Sequence, residues 1–256
     1  MKVIITALFV SCLLVPFLSN KSVAQQAKSE IKILFIGNSY TYVNDLPGIF
    51  ASLARAKGKT VLVKDFTVSS YSFKKHKNSR ETLSAIKSNN WDFIVLQNHS
   101  QIPSLKPGVV RSSSLPNAID LVNKIHSHNV ETQIVYFVTW GRKNGDTDNC
   151  ANYSKVCDFY GHTEAVNQGY KMYQGTTGGI LANVGQQWLN VINDTSASDN
   201  LKDLWSADNT HPSYKGSYLA ASTIYAAIFG ESSKGASFYG KLGKNEAIYY
   251  QQISSN

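Results

Sequence analysis

Two short polar segments, far apart in the chain, hold residue types that can make and break an acyl bond. Gly37-Asn38-Ser39-Tyr40-Thr41 sets a serine directly after an apolar run, and Asp208-Asn209-Thr210-His211-Pro212 sets an acid and an imidazole three residues apart. A serine hydroxyl becomes a nucleophile when a base takes its proton and a third group orients that base. Asp208 and His211 can supply both from one turn. Taken singly, each segment reads as a helix cap or a turn, because Ser, Asn and Asp are ordinary there. The pairing is what points to chemistry. Ser39 sits in neither a Gly-x-Ser-x-Gly elbow nor a phosphate-binding loop.

Other conspicuous residues have simpler readings. Cys150 and Cys157, seven positions apart in a polar stretch, read as a local disulfide in an oxidising compartment. A zinc site with His162 would still lack a ligand. Asp146, Asp148 and Asp158 do not follow the ligand pattern of a calcium loop. Lys74-Lys75-His76-Lys77 reads as a solvated basic face, although it would also suit an anionic substrate. His126 and His128 fall at the polar end of a helix and need no functional role. Trp140, which opens a long polar loop running to the cysteines, is either a stacking platform for a sugar ring or a tryptophan at the edge of the core.

These residues need a scaffold to bring them together. Runs rich in β-branched residues predict strands at Ile31–Ile36, Val61–Val68, Phe93–Leu96, Thr132–Val138 and Ile180–Val184. Helical spacing groups Leu46, Ile49, Phe50, Leu53 and Ala54 on one face, then Leu115, Ala118, Ile119, Val122 and Ile125, and later Leu219, Ala220, Thr223, Ile224, Ala227 and Ile228. Strand followed by helix, about five times over, implies a parallel sheet covered on both sides. In such sheets ligands bind beyond the carboxyl ends of the strands, where Ser39 falls.

The chain has 256 residues, of which 43% are hydrophobic and 16% charged, which suits one compact domain and excludes a disordered or coiled-coil protein. Its 25 Lys and Arg exceed its 17 Asp and Glu, but they are scattered, which argues against a nucleic-acid binder. Met1-Lys2, the apolar run from Val3 to Phe17 and Ser22-Val23-Ala24 have the layout of a cleavable signal peptide, residues 1–24. The run is short of the roughly 20 residues that span a bilayer, and the segment before Cys12 is a poor lipobox. The expectation is a secreted or periplasmic domain over residues 25–256, without stable membrane insertion.

The two polar segments together resemble the SGNH/GDSL hydrolase superfamily. Leu34-Phe35-Ile36-Gly37-Asn38-Ser39-Tyr40-Thr41 is similar to its first block in the Gly-Asn-Ser form, and Asp208-x-x-His211-Pro212 to its last. The resemblance spans essentially the whole mature chain. It implies an α/β, three-layer α/β/α sandwich around a mostly parallel five-stranded sheet of flavodoxin-like type. It also implies a catalytic Ser39, Asp208 and His211 that need no metal and no cofactor.

The middle blocks are expected to complete an oxyanion hole. Val68-Ser69-Ser70-Tyr71-Ser72 has Ser where the family has Gly, and a backbone N–H survives that exchange if the dihedrals do not demand Gly. Ser70 is the expected donor, with Ser69 the alternative. Leu96-Gln97-Asn98-His99-Ser100 is similar to the Gln-containing third block of relatives that resemble carbohydrate acetylesterases. The hole would then comprise Ser39, Ser70 and Gln97, with Asn98 or His99 replacing Gln97 if the register differs. The implied activity is hydrolysis of a carboxylic ester, with a short acyl group on a carbohydrate as the expected substrate. A lipolytic esterase or lysophospholipase with the same triad, and an inactive exported carbohydrate-binding protein, are the alternatives.

Overall fold

A computed structural model of the chain describes residues 30–254, so the expected signal peptide and Cys12 lie outside the described residues. Five strands, β1 (Ile31–Gly37), β2 (Val61–Thr67), β3 (Phe93–Leu96), β4 (Gln133–Phe137) and β5 (Ile180–Ala182), form one parallel sheet in the order β2-β1-β3-β4-β5. Each expected strand is present to within two residues at either end. Along β1 the side chains alternate between two cores, as the strand period requires. Ile33 and Phe35 enter one core, Leu34 and Ile36 the other, and all four are buried.

The helices follow in chain order: α1 (Ser39–Tyr42), α2 (Leu46–Ala56), α3 (Phe73–Asn78), α4 (Arg80–Lys87), α5 (Pro107–Val109), α6 (Leu115–His128), α7 (Phe159–Thr177), α8 (Val184–Asn193), α9 (Asp199–Lys202), α10 (Tyr214–Phe229) and α11 (Lys244–Ile253). Helices α2, α8, α10 and α11 bury Leu46, Phe50, Trp188, Ile224 and Tyr250 against the first face. Phe73, Ile86, Leu121 and Tyr170 of α3, α4, α6 and α7 cover the second. The architecture is the expected three-layer α/β/α sandwich. No helix among the described residues is long and apolar enough to cross a membrane.

Apolar periodicity predicts α2, α6 and the core of α10, but not α7. That helix contains Gly161, Gly169 and Gly175 and few aliphatic residues, so its intrinsic propensity is poor. Tertiary packing holds it. A Cβ on Gly169 would collide with the Pro103 carbonyl, and the buried faces of Phe159, His162, Val166, Tyr170 and Tyr173 recur at helical spacing.

The chain leaves β1 toward β2 on one side and returns to β3 on the other. The crevice at such a switch point, beyond the carboxyl ends of β1 and β3, is where open α/β sheets place their ligands. The segment between β4 and α7 reaches over the same end and is closed by a Cys150–Cys157 disulfide with Cα atoms 4.7 Å apart.

Candidate active site

Strand β1 ends at Gly37, where any side chain would collide with the Thr41 hydroxyl and the Gln97 amide oxygen. The turn that follows is fixed by buried neutral groups. Gln97 Oε1 accepts from the Asn38 N–H at 2.8 Å and from the Thr41 hydroxyl at 2.9 Å. Asn38 caps α1 by accepting from the Tyr40 N–H at 3.1 Å, and its amide donates to the Tyr71 carbonyl at 2.9 Å. His76 Nε2 donates to the Gly37 carbonyl at 3.0 Å, while Thr82 sits 3.0 Å from Nδ1. The carbonyl can only accept, so Nε2 carries the proton. Burial lowers the His76 pKa to about 4, against the opposing pull of the Gly37 carbonyl.

Ser39 emerges from this turn half-buried, with its hydroxyl 2.8 Å from His211 Nε2. His211 Nδ1 lies 2.5 Å from Asp208 Oδ2. The other carboxylate oxygen accepts from Ser206 Oγ and from the N–H groups of Thr210 and His211, each at 2.9 Å. Desolvation pushes the Asp208 pKa up, but the bonds from His211, Thr210 and Ser206 outweigh it and hold the carboxyl well below its ordinary range. The order nucleophile, base, orienting acid is that of an acyl-transfer triad.

The loop carrying Asp208 is braced from below. Trp140 is fully buried between Tyr40, at a ring-centroid distance of 4.9 Å, and Trp188, at 4.0 Å, and its Nε1 donates to the Thr210 carbonyl at 3.1 Å. Of its two expected roles the core one holds, because both ring faces are already covered. Asn209 turns the loop through a left-handed conformation, φ 61°, which Asn tolerates better than most residues.

Ser39, Ser70, His99, Ser100, Arg142 and His211 are among the residues lining a cavity of about 110 Å³. Among the described residues, no protein acceptor takes the N–H of Ser39 or Ser70. Ser70 adopts φ 57°, the left-handed region that favours Gly. Ser70, expected where the resembled family has Gly, thus sits in a conformation that costs a non-glycine residue strain.

Gln97 is not brought to this cavity. It is fully buried, its Nε2 bonds to the Asn98 carbonyl, and its oxygen serves the nucleophile turn. As the first residue after β3 it lies beneath Gly37, since the Gln97 N–H continues the ladder to Ile36. Asn98 is also buried, accepting from the Phe73 and His99 N–H groups and donating to Ser114 and Tyr173. From this block His99, half-buried, and the buried Ser100 reach the cavity. Burial lowers the His99 pKa, assisted by the charges of Arg142 and Lys75 and opposed by Asp146.

The remaining candidates sit outside the relay. His162 is buried in α7, where Nδ1 accepts from the Arg142 N–H at 3.2 Å. Asp158 caps α7 by accepting from the Gly161 N–H at 2.8 Å, and Asp146 and Asp148 accept from Gln101. No group of three His, Cys, Asp or Glu among the described residues could hold a metal ion. Lys77 pairs with Asp120 at 2.9 Å, while His76 in the middle of the basic run faces inward. Its position i+3 from the buried Phe73 was the available signal.

No protein-family profile and no curated protein matches the sequence. Solved structures share its fold. A DUF4886 family protein from Bacteroides uniformis superposes with a TM-score of 0.74 at 18% identity, covering 89% of this chain and 94% of that one. A Slackia heliotrinireducens protein described as an SGNH hydrolase gives 0.61 at 23% identity over 78% of this chain and all of that one. The esterase EstA from a Pseudoalteromonas species gives 0.54 at 13%, covering 78% and 97%. The chain has the fold of the SGNH/GDSL hydrolases.

Proposed function

We propose that the protein is an exported serine esterase that hydrolyses carboxylic esters through an acyl-enzyme on Ser39. The hydrogen-bonded Ser39–His211–Asp208 relay, opening on a cavity at the carboxyl end of the sheet, carries this reading. His211 takes the Ser39 proton as Oγ attacks the ester carbonyl, and Asp208 holds the imidazole and stabilises its charged form. The alcohol leaves with that proton. Water then attacks the acyl-enzyme with His211 again as base.

The free N–H groups of Ser39 and Ser70 face the oxyanion in this mechanism. The third donor is His99, kept neutral by its surroundings, in place of Gln97. A short acyl group is favoured because about 110 Å³ holds roughly three or four water-sized groups. The polar walls are compatible with a carbohydrate ester. The disulfide fits an oxidising compartment and hence export. A lipolytic reading draws on an adjoining open cavity of about 350 Å³, whose wall includes Ile102 and Leu105.

Hydrolysis of p-nitrophenyl esters from acetate to decanoate separates the two. Acetate turnover that falls steeply with chain length supports the short-acyl reading, and a maximum at decanoate supports the lipolytic one. Absence of turnover together with failure of a fluorophosphonate to label Ser39 would sink the esterase proposal.

A further inference from the structure

The catalytic cavity contains one cation that the reaction as proposed leaves unused. Arg142, just beyond β4, lines it together with Ser39, Ser70, His99 and His211. The Arg142 side chain is only 20% exposed, and its buried Nε has no partner. Its carboxylate neighbours hold it loosely, Asp148 at 3.5 Å and Asp146 at 3.9 Å. Asp146 is fully buried and already accepts from Gln101 at 2.6 Å and Asn149 at 2.7 Å.

A second unsatisfied group shares the wall. Tyr40 is 4% exposed and lines the cavity, and its buried hydroxyl, approached by the Ser100, Thr210 and Arg142 side chains, makes no well-formed hydrogen bond with them. Buried donors without well-placed acceptors are costly, and the Arg142 Nε and the Tyr40 hydroxyl share one cavity wall where a ligand acceptor would complete them. Lys75 extends the positive potential into the adjoining cavity, which shares Ser70 and His99 with the first. Neither cavity has an Asp or Glu in its lining.

We propose that Arg142 and the Tyr40 hydroxyl form a carboxylate-binding subsite, so that the preferred ester carries a carboxylate a few atoms from the scissile bond. This rests on the esterase reading of the same cavity and names its substrate class: an acylated sugar acid or a dicarboxylic half-ester. A guanidinium fork matches a carboxylate in plane and spacing. The small volume forces the two charges close to the reacting carbonyl. The disulfide-closed segment, in which the Asp146 N–H bonds to the Val156 carbonyl at 2.7 Å, fixes the loop that presents Arg142.

The test compares kcat/KM for wild type, Arg142→Met and Arg142→Lys on two matched pairs. O-acetyl glucuronate against O-acetyl glucose places the carboxylate in the alcohol; p-nitrophenyl hemisuccinate against p-nitrophenyl butyrate places it in the acyl group. On one pair, wild type favours the anionic ester by on the order of 10-fold or more. That ratio falls to about one in Arg142→Met and to an intermediate value in Arg142→Lys, mostly through KM. A ratio near one in wild type on both pairs, or a ratio unchanged by Arg142→Met, overturns the subsite while leaving the esterase intact. Should Arg142→Met not fold, Arg142→Lys must still lower the ratio. If no ester is turned over, the esterase reading fails by itself, and calorimetric titration of glucuronate into the Ser39→Ala chain decides the subsite. Binding tighter than that of glucose, and lost with Arg142→Met, supports it; equal binding of the two sugars overturns it.

Discussion

The nucleophile turn and the loop carrying Asp208 and His211 meet at one hydrogen bond, yet different forces hold them. Around Gly37–Thr41 the partners are buried and neutral: Gln97, Asn38, His76 and, one layer further, Asn98 with Tyr170 and Tyr173. Around Asp208 the site is open, with the Asp208 side chain 49% and the His211 side chain 33% exposed, and an ionised carboxylate collects the bonds. Neutral buried bonds fix a position whatever the solution conditions, provided every partner stays uncharged. Ser39 is therefore placed by the interior, while His211 is held near the surface by a carboxylate.

The sharpest way to break this comparison is to remove either side of the meeting point. Ser39→Ala and His211→Ala should each lower kcat on p-nitrophenyl acetate by on the order of 10⁴-fold or more, with little change in thermal stability. Loss of stability in parallel would mean that the two halves hold one another up.

The neutral half should be the acid-sensitive one. Burial lowers His76, and likewise His162, from 6.5 to about 4. Between those values the unfolded chain binds more protons than the folded one, so stability is complete above pH 6.5 and is lost as pH falls toward 4. The loss is on the order of 3 kcal/mol per histidine. Urea midpoints measured from pH 7.5 to 4 check this, and His76→Gln should flatten the curve by about half. A profile equally steep in the variant would show that His76 does not titrate with folding.

Gln97 and His99 divide the halves at closer range. Gln97→Leu strands the Asn38 N–H and should cost about 2 kcal/mol of stability along with activity. His99→Ala should leave the melting temperature within a degree or two of wild type and lower kcat roughly 100-fold. If Gln97→Leu instead melts like wild type while kcat falls, the amide acts on the oxyanion after all. The smallest effect belongs to Ser70→Gly. Release from the left-handed conformation should gain up to about 1 kcal/mol, partly offset by the freedom Gly adds to the unfolded chain, with activity kept.

Much of this was legible in the residues themselves. All five strands followed from β-branched or apolar runs bounded by turn formers: the inner strands β1, β3 and β4 are largely buried and almost wholly apolar, while the edge strand β2 keeps its pattern around the exposed Lys64 and Asp65. Ser39 and Asp208-x-x-His211 were legible because a strand end and a short turn fix their geometry locally. Helix α7 was not, since Gly161 and Gly169 lower its intrinsic propensity and fit only because the Lys155 and Pro103 carbonyls pack against them. Nor was the side-chain direction of Gln97, which lies beneath the Gly37–Thr41 turn while His99 and Ser100, two and three positions on, line the cavity.

The sequence by itself determined which residue types could react, where the strands would lie and which cysteines could pair. Only the tertiary structure decided that Trp140 stacks between Tyr40 and Trp188 and bonds the Thr210 carbonyl, that His76 faces inward from a basic run, and that Arg142 lines the Ser39 cavity with its Nε unbonded. The physical reason is range. Periodicity and turn chemistry act over a few residues, whereas burial and its consequences are set largely by groups that the chain brings together from far apart, as it does His76 and Gly37, 39 positions apart, and Trp140 and Thr210, 70 apart.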